Sequence, residues 1–206
     1  AVMGLADEFT VEMAQDIMQT GDAAELLAAL TGQNAFVRRL PDGVTYRFHH
    51  MMKECALRVF LTLPQERRND CRRRFGAWYE QHRQYLHAMQ AYYQSGDYHA
   101  LLRVVQQDAG ILLSSLDPKN VLDFLDECPE DTLKAHPAAL LVLMRSMFNW
   151  RNIPRMLTLR QLLLTAIDED TQRSAEERGN LLGECDLIMS FLCYNDISAM
   201  SRLHRS

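Results

Sequence analysis

Two short alternating runs, residues 35–40 and 44–48, meet at Pro41-Asp42-Gly43, and this hairpin signal constrains the chain more than any other stretch. In the second run Val44, Tyr46 and Phe48 fall on one face of a strand, while Thr45, Arg47 and His49 fall on the other. The surroundings read as helix. Thr10 is placed to cap a helix with apolar positions Met13, Ile17 and Met18. Asp22, with Glu25 three residues on, opens a second helix through Leu26, Leu27 and Leu30 that stops near Gly32. After the hairpin, Met52, Cys55, Ala56, Val59, Phe60 and Leu63 recur at the spacing of an amphipathic helix. Helix, helix, hairpin, helix is the order of a small winged-helix domain, and it occupies residues 1–63.

From Pro64 onward the rhythm is that of paired helices. Phe75, Trp78, Tyr79, Leu86 and Met89 are the core candidates of the first pair. Breaks fall at Ser95-Gly96-Asp97-Tyr98, Arg151-Asn152-Ile153 and Tyr194-Asn195-Asp196-Ile197. Asn152, Ile153 and Met156 recur at one constant offset as Asp196, Ile197 and Met200. Self-similarity of this kind points to stacked helical hairpins of tetratricopeptide type, slightly longer than the usual unit of about 34 residues. Asp117-Pro118 starts a helix and Cys128-Pro129 ends it, with proline where its missing N–H does no harm. His136-Pro137 opens the most apolar stretch, residues 138–147, as the expected centre of the array. The fold class is therefore mainly α: a winged helix over 1–63, then a tetratricopeptide-like region over 64–206. The latter ends inside a helical pattern at Ser206, and the chain opens on Ala1, so both ends read as cut from a longer protein.

Composition narrows the function classes. With 22 basic and 27 acidic residues, the net charge of -5 is too mild to advertise a nucleic-acid or membrane surface. No run of about 18 apolar residues and no charged-then-apolar signal segment is present. The cysteines, Cys55, Cys71, Cys128, Cys185 and Cys193, are odd in number and lack CxxC spacing, which reads as free thiols in a reducing cytosol. Nothing matches GxxxxGK[ST], a GxGxxG after a strand, GxSxG or HExxH. Catalysis by this chain alone is not expected.

His49 and His50 are the candidate functional pair. They stand where a strand gives way to a helix N-terminus, whose free N–H groups and dipole favour an anion. The plainer reading is a capping or partly exposed histidine. A zinc site from His49, His50, Cys55 and Cys71 lacks any standard ligand spacing. Arg67, Arg68, Arg72, Arg73 and Arg74 form the one dense basic run. At about 100° per residue they spread around a helix, with Glu66 and Asp70 as offsetting partners. Met51, Met52, Met144, Met147, Met156 and Met189 read as core before they read as an adaptable groove.

Tyr46-Arg47-Phe48-His49-His50-Met51-Met52-Lys53-Glu54 resembles the Tyr-Arg-Tyr-His-His/Pro-Leu-Phe-Arg-Glu segment of the large ATP-dependent LuxR-type regulators, the MalT-like branch of the STAND ATPases. Ala24-Glu25-Leu26-Leu27 through Asn34-Ala35-Phe36-Val37 is similar to that family's helix and "Asn-Leu-Phe-Leu" strand. Arg73-Arg74-Phe75-Gly76-Ala77-Trp78-Tyr79 is similar to its "Arg-Arg-Ala-Ala-Glu-Trp-Tyr" segment, and Ser95-Gly96-Asp97-Tyr98 to its "Ala-Gly-Asp-Tyr/Trp" turn. The helical sensor region is echoed by His136-Pro137, by Leu182-Gly183-Glu184 and by Asn195-Asp196-Ile197.

The resemblance implies a winged helix between a P-loop ATPase and a tetratricopeptide-like sensor, with a helix-turn-helix closing the parent chain. It implies ATP or ADP as the parent's nucleotide and none held by this chain alone. His49 occupies the position of the histidine of the Met-His-Asp motif, which contacts the β-phosphate of ADP. Phe48 stands in place of its Met and His50 in place of its Asp. The implied partners are the missing ATPase and DNA-binding domains, an inducer or protein on the repeats, and further copies of the parent in a nucleotide-dependent assembly. No membrane and no direct nucleic acid are implied for this segment, and the implied location is the bacterial cytoplasm. The other function class open to the sequence is a free-standing tetratricopeptide-like adaptor.

Overall fold

The fold is described from a computed structural model, which describes residues 2–32, 36–111, 113 and 116–193. The chain is mainly helical, and it divides into two compact units at Asp97/Tyr98.

The first unit opens with a 3-10 turn at Val2–Leu5, then β1 (Phe9–Thr10), α1 (Val11–Met18) and α2 (Ala23–Gly32). The hairpin follows as β2 (Val37–Arg39) and β3 (Thr45–Phe48). It leads into α3 (His50–Leu61), α4 (Gln65–Gln81) and α5 (Tyr85–Ser95). Ala35, where the first alternating run begins, lies outside the described residues.

The turn forms for a local reason. The Asp42 carboxylate accepts hydrogen bonds from the Val44 and Thr45 backbone N–H groups at 3.1 and 3.0 Å and from the Thr45 hydroxyl. Those bonds hold its carboxyl below the ordinary carboxylate range, the hydroxyl bond contributing most. Gly43 takes the left-handed φ of 74° that the turn needs.

Two-residue β1 is too short to show an alternating pattern, and it adds a third strand that the sequence did not signal. The sheet order is β1-β3-β2, antiparallel throughout, so β3 is central. Phe9 pairs with Tyr46, and Val37, Arg38 and Arg39 pair with Phe48, Arg47 and Tyr46. Phe9 lies against the rings of Tyr46 and Phe48, at 6.2 and 5.1 Å between centroids. One core joins them to Met13, Ile17, Leu27, Val37, Phe75 and Trp78. The Thr10 hydroxyl caps α1 by accepting from the Met13 N–H at 3.2 Å.

Helix α3 differs from the sequence expectation. Ala56 and Phe60 are buried, but Cys55 and Val59 face outward, as do Leu26 and Leu30 on α2 and Met18 on α1. Two apolar stripes lie side by side on α3, and the 3-10 turn packs on only one of them. Gly4 sits so close to Ala56 that an added Cβ would lie 2.7 Å from the alanine methyl. On α4 the arginine run finds Asp70 as its offsetting partner, and two of its members reach beyond the helix. Asp70 pairs with Arg74 and, at 3.9 Å, with Arg73. Arg74 donates to the Ile17 carbonyl and Arg72 to the Gln94 carbonyl, both at 3.1 Å, with Arg72 also 5.6 Å above the Phe60 ring.

The second unit holds α6 (Tyr98–Gln107), α7 (Pro118–Glu127), α8 (Glu130–Lys134), α9 (Pro137–Asn149), α10 (Ile153–Glu169) and α11 (Ala175–Ser190), then a 3-10 turn to Cys193. Asp117 caps α7 with Pro118 behind it, and Ser174 and Glu177 form a reciprocal capping box on α11. Helix α9 is central to the unit: α6, α8, α10 and α11 all pack on it, burying Ala139 through Met144, Ser146 and Met147. Cys128 and Cys185 are buried, and burial pushes the Cys128 thiol up to about 11. The last break, Tyr194 to Ile197, and the recurrence at Met200 lie outside the described residues. No helix of the described residues is long and apolar enough to cross a membrane.

Candidate functional site

His49 follows β3 directly and occupies the N-cap position of α3. Its backbone is extended (φ −60°, ψ 145°), and its side chain makes no capping hydrogen bond, which leaves the ring available to a ligand. Its N–H donates to the Phe36 carbonyl at 2.6 Å, and the Phe36 ring lies 6.1 Å from its own at 57°. Phe36 holds φ at 60°, an uncommon conformation for a side chain of that size. His50, on the first turn of α3, reaches along the helix to Glu54 at 3.1 Å with its side chain largely exposed. The two neighbouring histidines therefore differ: one is tied to a carboxylate on its own helix, the other is held through its backbone and lies beside the Phe36 ring.

Both line a cleft of about 770 Å³ on the outer face of the winged helix, between the β2–β3 ribbon and the start of α3. Arg38, Arg47 and Lys53 enter it as permanent cations, and Asp7 as the carboxylate of its lining. Lys53 is ion-paired to Asp7 and Arg47 to Glu8. The hydrogen bond and charge of Lys53, then the charges of Arg47 and His87, hold the Asp7 carboxyl below its ordinary range. A positive cleft at the N-terminus of a helix, with an aromatic ring on one wall, is chemically suited to a phosphate-bearing ligand.

Sequence spacing singled out His49 and His50, and the structure puts both in this cleft. Arg38, Arg47, Lys53 and Asp7, which line the cleft, and Glu8, which pairs with Arg47, carry no local sequence signal as site residues. Their convergence depends on strand register and on contacts between residues far apart in sequence. Cys55 is exposed on α3 and Cys71 half-buried on α4. Among the described residues no three His, Cys, Asp or Glu side chains are grouped to hold a metal ion.

The order of elements, the three-stranded sheet and the histidine between β3 and α3 all fall within one stretch that a family model recognises: the MalT winged helix domain matches residues 2–69. Over these residues the chain is similar to the MalT winged helix domain. No curated protein and no solved structure matches the chain. The MalT match takes in both walls of the cleft and ends within α4, and it identifies a winged helix and no catalytic domain.

Proposed function

We propose that this chain is the internal regulatory and sensor portion of a LuxR-type, ATP-dependent transcriptional regulator of the STAND class. In it, signal binding by tetratricopeptide-like helical repeats is coupled to a nucleotide switch through the winged helix. The observation that carries this reading is the MalT winged helix at residues 2–69, with His49 at the start of α3 and its side chain uncommitted.

On this reading the ATPase domain and the DNA-reading domain belong to the same parent chain, and the bacterial cytoplasm is where it works. The parent binds ATP or ADP, and this chain performs no catalysis and binds no DNA directly. The second unit takes an inducer or a protein. His49 donates a hydrogen bond to the β-phosphate of ADP and stabilises the resting form. Exchange for ATP removes that preference and frees the winged helix, and the parent then self-associates. A ligand that contacts the two forms unequally shifts their populations by its differential affinity alone.

The test is His49→Ala in the parent protein. ADP is expected to dissociate faster and transcription without inducer to rise. Unchanged nucleotide retention together with unchanged basal transcription would overturn the role of His49.

A further inference from the structure

Arg38 of β2 and Arg47 of β3 are direct partners in the antiparallel register, so their side chains leave the sheet on the same face, towards the same cleft. Two like charges directly opposite each other destabilise a strand pair. The β1 side of β3 supplies part of the answer. Phe9 pairs with Tyr46, which brings Glu8, the residue before Phe9, alongside Arg47, and Glu8 forms an ion pair with it. Its neighbour Asp7 takes Lys53. Arg38 has no ion-pair or side-chain hydrogen-bond partner among the described residues. The dipeptide Asp7-Glu8 therefore occupies two of the three permanent cations of the cleft, and the third remains uncompensated.

We propose that Arg38 and Arg47 form a two-guanidinium clamp for a pyrophosphate group, and that Asp7-Glu8 is its built-in competitor. With the cleft empty, Glu8 screens Arg47 from Arg38. A pyrophosphate between the two guanidiniums replaces Glu8 and removes the like-charge conflict, and no covalent change is needed. Geometry favours the ligand: guanidinium groups present donor forks that match phosphate oxygens. The Glu8–Arg47 pair that must open is solvent-accessible, its side chains 41% and 42% exposed, and such pairs are weak. This inference rests on the reading of the His49 cleft as a phosphate site, and it adds the residues that grip the phosphate and those that oppose it.

The test is isothermal titration of the 206-residue chain at low salt with inorganic pyrophosphate, ADP and AMP. Wild type is compared with Glu8→Gln, Arg38→Gln and His49→Ala, each checked for an unchanged melting curve. Pyrophosphate and ADP are expected to bind weakly, the nucleotide's main holder being the parent's ATPase domain, but more tightly than AMP. Glu8→Gln should tighten pyrophosphate about two- to fivefold, because a weak competing ion pair is gone. Arg38→Gln should weaken it about tenfold, the usual effect of losing a charge-assisted hydrogen bond. Glu8→Gln without tightening, or Arg38→Gln without weakening, overturns the clamp. If His49→Ala still weakens binding in that case, the His49 reading survives alone. Absence of pyrophosphate binding by both wild type and Glu8→Gln, or binding of duplex DNA in its place, also overturns the clamp. The His49 reading then stands or falls on nucleotide retention in the parent protein.

Discussion

The ring of Tyr92 on α5 covers Gly76 on α4 so closely that an added Cβ would lie 2.5 Å from its Cε1 and 2.7 Å from its Cδ1. The Tyr92 hydroxyl donates to Glu80 at 2.8 Å, one helical turn further along α4, so the ring is fixed at its far end as well. The LuxR-type segment that this stretch resembles has alanine at the corresponding position. In isolation alanine favours a helix interior over glycine by about 1 kcal/mol. Here overpacking decides the sign. Gly76→Ala is expected to lower stability by about 1–3 kcal/mol in urea unfolding. In a Tyr92→Leu background the loss should vanish, because the two sites are coupled by contact. An equal loss in both backgrounds would place the cause elsewhere.

Thr10 works at the junction of β1 and α1, where its hydroxyl holds the Met13 N–H. Its backbone pairs with Thr45, and a side-chain change leaves that pairing in place. Thr10→Ala should therefore cost about 1 kcal/mol, the usual loss of an N-cap, and Thr10→Ser should restore most of it. Equal losses in the two variants would show that the methyl group matters and the cap does not.

Neighbours Val59 and Phe60 on α3 separate the two apolar stripes. Phe60 is 1% accessible and Val59 53% accessible. Phe60→Ala should cost about 3–5 kcal/mol, with its contact to the Arg72 guanidinium lost as well. Val59→Ala should change stability by no more than about 0.5 kcal/mol. Comparable losses at both sites in equilibrium unfolding would mean that the outer stripe is also covered.

That contrast marks what could be seen from residues alone. Features set by a few consecutive residues were legible: the Pro41-Asp42-Gly43 turn, the Thr10 cap, Asp117-Pro118, and the apolar run of α9. Helical spacing located α3 but did not choose between its stripes, because that choice is made by the 3-10 turn packing Gly4 against Ala56. Two-residue β1 carries too few positions to show a period. At the cleft, His49 stood out through the residues around it. Arg38 facing Arg47 is a consequence of register, and Asp7, in the bend before β1, meets Lys53 on α3. Neither relation is written in local sequence.

In the second unit His136 offers a reading by pH. It occupies the N-cap position of α9, and its Nε2 lies 3.1 Å from Nδ1 of His99 on α6. Burial, then the neighbouring His99, then Arg103 lower its affinity for a proton below that of an ordinary histidine. The helix N-terminus beneath it disfavours a positive charge in the same sense. An unfolded chain takes up the proton near pH 6.5, while the folded unit resists it until a lower pH. The stability contributed by neutral His136 is therefore complete above about pH 6.5 and is lost as pH falls through the folded-state value. Denaturation midpoints of the chain should decrease from pH 7.5 to pH 5.5, and His136→Asn should flatten that part of the profile. A wild-type midpoint that rises as the pH is lowered, with the slope abolished by the same variant, would reverse the assignment.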